Sequence, residues 1–186
     1  MTTRDEIREV VARVVDATLP AEPSPQSQQV IPAPNDAIAV GADHGGYPLK
    51  ERLAFRLREQ GLEVQDVGTH SSDPVDYPDF AHEVARKVAT GECGVGIIID
   101  GAGIGSAMVA NKVPGVRAAM CYDVSSARNS REHNHANVLT LGAGLIGESL
   151  AWQIVESWLS TPWAEGRHAR RVDKITEIEL EEMGGR

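Results

Sequence analysis

The chain has 186 residues, 41% of them hydrophobic, and a formal net charge of −9, which suits one compact core with a smaller appendage. The charge excludes nucleic acid as the main partner, since binding there leans on Lys and Arg neutralising phosphates. No long uncharged apolar run marks a membrane span, and no apolar stretch follows the polar start MTTRD to mark a secretory signal.

Residues 1–19 place Ile7, Val10, Val11, Val14, Val15 and Leu19 at helical spacing, opposite a charged face of Arg4, Asp5, Arg8, Glu9 and Arg13. Thr3 and Glu6 fit a capping box. So short a helix needs a partner surface for its apolar stripe. Residues 20–35 hold five of the ten prolines (Pro20, Pro23, Pro25, Pro32, Pro34) among Ser and Gln, which predicts an extended, semi-rigid linker.

From residue 36 to 186 strand and helix patterns alternate. A short apolar strand is expected over 37–40, and a helix over 47–60 with Leu49, Leu53 and Leu57 on one face, closed by Gly61. A strand over 62–67, a helix over 80–89 and a buried strand over 95–99 ending at Asp100 follow. Then come a helix, a strand over 116–120, a helix over 124–132, a strand over 138–141, a helix over 145–159 and a charged helix over 169–182. This pattern predicts an α/β fold, a parallel sheet covered on both faces, whose ligands bind beyond the C-terminal strand ends. Residues 41–46 and 100–105 lie there. Cys93 and Cys121 form neither a metal-binding spacing nor a disulfide framework, and read as buried, inert thiols in a cytoplasmic protein.

Four polar clusters carry chemistry. In DGAGIGS, Asp100 to Ser106, three alternating glycines expose backbone N–H groups that can hold an oxyanion beside the Asp100 carboxylate. A base beside N–H donors is what proton abstraction next to a carbonyl requires; the alternative is that Asp100 only caps the following turn. The spacing does not fit a dinucleotide fingerprint. Asp43 and His44 close the first strand, either as ligands of an anionic substrate or as a turn with a surface imidazole. SREHNHAN, Ser130 to Asn137, offers His133 as an acid or base, or His and Asn as helix C-terminal caps. Arg167, His168, Arg170 and Arg171 are either a solvated face or a phosphate clamp.

Together these blocks resemble the family containing ribose-5-phosphate isomerase B and the galactose-6-phosphate isomerase subunits. The matching text is GADHGGYPLK, DVGTHSSDPVDYPDFA, DGAGIGSAMVANKVPGVRA, SREHNHANVLTLG and GRHARRVDKI, in the family's order. The resemblance implies a Rossmann-like three-layer sandwich with a five-stranded parallel sheet, and active sites shared between subunits of a homodimer or tetramer. It implies a phosphorylated sugar as substrate and aldose–ketose isomerisation without metal or organic cofactor. His133 would help open the sugar ring, with Asp43 and Tyr77 nearby. Asn134 and the N–H groups of Gly101, Ala102, Gly103, Ile104 and Gly105 would stabilise the enediolate, and His44, Arg167 and Arg171 would bind phosphate.

Three departures stand out. The family's enolising base is a cysteine at the position of Asp100 or a glutamate at that of Ser106, and this chain has neither; the galactose-6-phosphate isomerase subunits include a version that looks acidic at the Asp100 position, and that resemblance implies Asp100 as the candidate base. A threonine two residues after that cysteine is Ala102 here. A phosphate-binding arginine in the block after His133 is replaced by Gly144. The segment 1–35 resembles the encapsulation peptides of bacterial microcompartments, so shell or cargo proteins are expected partners, an oligomerisation arm being the alternative. The mixed charges of its polar face argue against a membrane-surface helix. The competing reading of the whole chain is a non-catalytic or partner-dependent sugar-phosphate-binding subunit.

Overall fold

The computed structural model describes residues 37–184; the amphipathic helix expected over 1–19 and the linker over 20–35 lie outside them. Five strands, β1 (Ile38–Ala42), β2 (Val64–Gly68), β3 (Val95–Asp100), β4 (Ala118–Met120) and β5 (Val138–Gly142), alternate with six helices among the described residues. These are α1 (Tyr47–Glu59), α2 (Tyr77–Ala89), α3 (Ile104–Ala110), α4 (Val124–Asn134), α5 (Glu148–Ser160) and α6 (Ala169–Gly184). All strand pairs are parallel, in the order β2-β1-β3-β5-β4. This is the Rossmann-like α/β fold expected.

The near-continuous apolar run of β3, VGIIID, follows from burial on both faces. Because successive side chains point to opposite faces, Ile97 and Ile99 join Leu53, Leu57, Ile154 and Trp158 on one side of the sheet, while Ile98 joins Ala81, Val84 and Val88 on the other. Helix α2 starts at Tyr77, earlier than the residue 80 that apolar spacing marks. Extended Asp76 precedes it and Pro78 occupies its first turn, where a missing N–H costs nothing. Cys93 and Cys121 are free and buried, and burial pushes both thiols up, as expected of inert side chains.

The chain leaves β1 toward β2 on one side, then crosses to β3 on the other. The carboxyl ends of β1 and β3 therefore flank a switch in direction, where parallel sheets open a crevice. Each connecting helix runs antiparallel to its strands, so every helix C-terminus returns to the opposite, amino edge of the sheet. This alternation decides which polar clusters can meet.

Candidate active site

At the carboxyl edge, Ala42 pairs with Ile99, which puts Asp43 beside Asp100. Asp100 is 5% exposed, and its carboxylate turns back into its own loop. Oδ1 accepts from the N–H of Ala102 at 2.7 Å and from that of Gly103; Oδ2 accepts from Ser106 N–H at 3.1 Å and from the Ser106 hydroxyl. Gly103 holds φ at +77°, which only glycine adopts without strain, and its carbonyl accepts from the Thr140 hydroxyl at 2.8 Å. Tyr122 donates to the Ala102 carbonyl at 2.9 Å. The loop is thus tied down from three elements, with Asp100 as its centre.

This arrangement divides the expected N–H donors. Those of Ala102 and Gly103 are committed to Asp100, whereas those of Gly101, Ile104 and Gly105 have no acceptor among the described residues outside their own helix. Asp43 accepts from Gly46 N–H at 2.8 Å through Oδ1. His44 is exposed, with Nδ1 3.2 Å from both the N and the O of Val75. Tyr77 lays its ring over the start of α3, so close that a Cβ on Gly105 would lie 2.6 Å from it. Gly144 also belongs to this edge: its N–H donates to the Gly101 carbonyl at 3.0 Å. Behind it, the wholly buried Lys50 pairs with both oxygens of Asp66 at 2.6 Å, and Asp66 accepts from Gly68 N–H, fixing the end of β2.

The other predicted residues occupy the amino edge. His133 and Asn134 end α4 just before β5, whose far end pairs with Asp100. Five strand residues at about 3.3 Å each separate the two clusters by roughly 15 Å. His133 stacks on the buried His168, ring centroids 4.1 Å apart and planes 1° from parallel. Asn129 Nδ2 lies 2.8 Å from His133 Nδ1; with the amide donating, the His133 proton sits on Nε2. Arg167 Nε donates to His168 Nε2 at 3.3 Å, so that nitrogen carries no proton. Desolvation, then the neighbouring His133, Arg167 and Arg171, pushes the His168 pKa down. Arg171 is exposed one helical turn along α6, and Asn134 lines a cavity of about 810 Å³ between this edge and α6.

The turn that presents His133 is held by half-buried cations. His135 takes φ 50°; its carbonyl accepts from Arg117 Nε at 3.0 Å, and that of Ala136 accepts from Arg131 at 2.6 Å. Trp163 covers the His135 ring at 3.7 Å. Desolvation, and then the two guanidinium groups, lower the His135 pKa to about 4.

The structure therefore brings Asp43, His44, Tyr77, Asp100 and the glycine loop together, and separately His133, Asn134, Arg167 and Arg171. It does not bring the two groups together within one chain. Sequence reasoning missed Ser106 as the partner of Asp100, Tyr122 and Thr140 as anchors of the loop, and Asn129 and His168 as neighbours of His133. Only the i, i+4 spacing of Asn129, on the helix predicted over 124–132, and His133, just past its end, signals any of these contacts.

The chain as a whole is similar to known proteins. The sequence profile of the Ribose/Galactose Isomerase family matches residues 38–175. Ribose-5-phosphate isomerase B of Escherichia coli is 47% identical over 142 residues, 76% of this chain and 95% of the relative. D-erythrulose-4-phosphate isomerase of Pectobacterium atrosepticum is 41% identical over 150 residues, 78% of this chain and 97% of the relative. The structure of Clostridium thermocellum ribose-5-phosphate isomerase B superposes with a TM-score of 0.77 at 52% identity, covering 78% of this chain and 98% of that one. With a fold, a sequence profile and near full-length relatives in agreement, the chain belongs to the ribose/galactose isomerase family, the sugar-phosphate isomerases.

Proposed function

We propose that this protein interconverts an aldose phosphate and its ketose through an enediolate, with ribose 5-phosphate and ribulose 5-phosphate as the first pair to test. The E. coli and C. thermocellum relatives carry that substrate in their names, and the Pectobacterium relative a four-carbon ketose phosphate. The observation that carries the reading is the carboxyl edge, where two neighbouring carboxylates stand beside unpaired N–H donors, the pairing that enolisation uses. Asp100 is the base expected from sequence and Asp43 the second candidate. No metal or organic cofactor is needed to move a proton between adjacent carbons.

The functional unit is a homodimer, alone or within a tetramer, in which the amino edge of one copy completes the carboxyl edge of the other. His133 then assists ring opening and Asn134 the enediolate, while Arg167 and Arg171 join His44 on the phosphate. Apolar side chains left open near both edges support this: Ile104, Met108 and Leu145 at one, Ile178 and Leu180 on α6 at the other.

Residues 1–35 direct the enzyme to a bacterial microcompartment, with the apolar stripe of 1–19 docking on shell or cargo proteins, so that the cytoplasmic protein works inside that shell. Deleting them leaves turnover intact and abolishes co-localisation with shell proteins; unchanged co-localisation contradicts the targeting role. Turnover of ribose 5-phosphate, or of another four- to six-carbon sugar phosphate, by the purified homo-oligomer tests the enzyme reading. A folded oligomer inactive on all of them would instead be a binding or partner-dependent subunit.

A further inference from the structure

The carboxyl edge holds two carboxylates, and their surroundings differ in a way that separates their roles. A carboxylate has about four lone-pair positions, two on each oxygen. Asp100 fills all four with donors from its own loop: Ala102 N–H and Gly103 N–H on Oδ1, Ser106 N–H and the Ser106 hydroxyl on Oδ2. To take a proton from a substrate carbon it must first break one of these bonds, and each of them shapes the glycine loop.

Asp43 is built the other way. Oδ1 accepts one bond, from Gly46 N–H at 2.8 Å, and Oδ2 has no partner among the described residues. The residue is half-buried, beside an exposed Gly45. An atom placed where Gly45 would carry a Cβ lies 3.4 Å from Asp43 Oδ1, 4.0 Å from Asp43 Oδ2 and 3.9 Å from Gly101 N. Gly101 N–H has no acceptor among the described residues, and a Cβ on Gly101 would also meet nothing within 4 Å. One open point therefore sees an unpaired carboxylate oxygen and an unpaired N–H donor together. A C–H acid loses its proton where a base and an N–H donor for the developing oxyanion face the same space.

We propose that Asp43 is the base that moves the proton between C1 and C2, and that Asp100 is a positioning residue that holds the loop whose Gly101 N–H receives the oxyanion. The proposal rests on the isomerase reading above. In the open-chain aldose phosphate, Asp43 Oδ2 takes the proton from C2. The C–H electron pair forms the C1–C2 double bond, and the carbonyl pair moves to O1 against Gly101 N–H. The proton then returns from Asp43 to C1, while the C2 hydroxyl proton passes to O1 and the C2 carbonyl closes. Atoms and electrons balance with no co-reactant. Gly45 has a negative φ that any residue tolerates, so its lack of a side chain serves to leave this space open.

The test uses the full-length oligomer with C2-deuterated ribose 5-phosphate, or the best substrate of the four- to six-carbon series, measuring kcat, KM and the isotope effect. Asp43→Asn keeps an oxygen for the Gly46 N–H and should lose about 10²–10⁴-fold in kcat with little change in KM; Asp43→Glu should recover part of the loss. Gly45→Ala should lower kcat at least tenfold with an unchanged thermal midpoint, which keeps the test sound if Asp43→Asn folds poorly. Asp100→Asn should lower the thermal midpoint and reduce kcat by a smaller factor than Asp43→Asn. Asp43→Asn retaining kcat within tenfold of wild type, or Gly45→Ala with wild-type kcat, overturns the proposal while leaving the isomerase intact. A wild-type oligomer that turns over no sugar phosphate overturns the isomerase reading, and this proposal with it.

Discussion

The two edges of the sheet are built from different materials and solve different problems. The carboxyl edge is acidic and glycine-rich: Asp43 and Asp100 stand at neighbouring strand tips, with N–H groups left over where the loop turns at Gly103. The amino edge is cationic: Arg117 and Arg131 lie half-buried under the turn, Arg167 and Arg171 exposed above it, and two stacked imidazoles lie between. In the proposed reaction the carboxyl edge serves proton removal and a developing oxyanion, and the amino edge, with His44, serves phosphate and ring oxygen. Within one copy a strand's length separates the two edges. Parallel βαβ topology forces this, because strand tips and helix C-termini fall on opposite edges.

The comparison breaks most easily at His133. His133→Ala is expected to lower kcat on ribose 5-phosphate by about 10²–10⁴-fold. A four-carbon sugar 4-phosphate has no free hydroxyl with which to close a furanose ring, so the same variant should lose much less on that substrate. Equal losses on both would remove the ring-opening role from the amino edge.

Next in size are the phosphate contacts. Arg167→Ala and Arg171→Ala should each raise KM by roughly 10- to 100-fold, as expected for a charge-assisted hydrogen bond, with kcat little changed. A fall in kcat at constant KM would place these arginines elsewhere in the mechanism.

The packing of the amino edge has its own signature in pH. The His135 pKa, lowered to about 4 against a usual 6.5, means the unfolded chain binds the extra proton first. Its contribution to stability is present above pH 6.5, is lost as pH falls toward 4, and is on the order of 1–2 kcal/mol after allowance for partial exposure. His135→Asn keeps a residue that tolerates the left-handed backbone and should flatten this slope in denaturant titrations between pH 4 and 7. An unchanged slope would put the proton uptake at another group. The smallest effect is expected at Gly144, where a side chain would lie 3.0 Å from the Gly101 carbonyl. Gly144→Arg should lower KM for phosphorylated sugars a few-fold if that edge reaches the phosphate.

Much of this was legible in the sequence. Apolar runs and glycine-closed helices mark the five strands and the order of the elements, and the DGAGIGS loop declares itself as an N–H cradle. What stays hidden is how each polar group spends its hydrogen bonds. Asp100 reads either as a base or as the cap of its turn, and its three backbone N–H donors and serine donor become visible only once the loop closes at Gly103. The apolar spacing of its helix does not mark Lys50, yet it is wholly buried because Asp66, from β2, meets it. His168, in a run of arginines, reads as part of a solvated face or a phosphate clamp, but its ring is buried on His133. Periodicity reports which face a residue is on, not which distant partner it finds.

Complementation between two inactive variants bears most directly on the claim that each active site is shared by two copies. Asp43→Asn disables the carboxyl edge and His133→Ala the amino edge, so a hybrid dimer carries one site with both defects and one with neither. Co-expressed or mixed and re-assembled, the pair should recover roughly one quarter of wild-type turnover, since half of randomly formed dimers are hybrids with one intact site of two. Hybrids that form, as shown by differently tagged subunits, but stay as inactive as either parent would contradict the shared site.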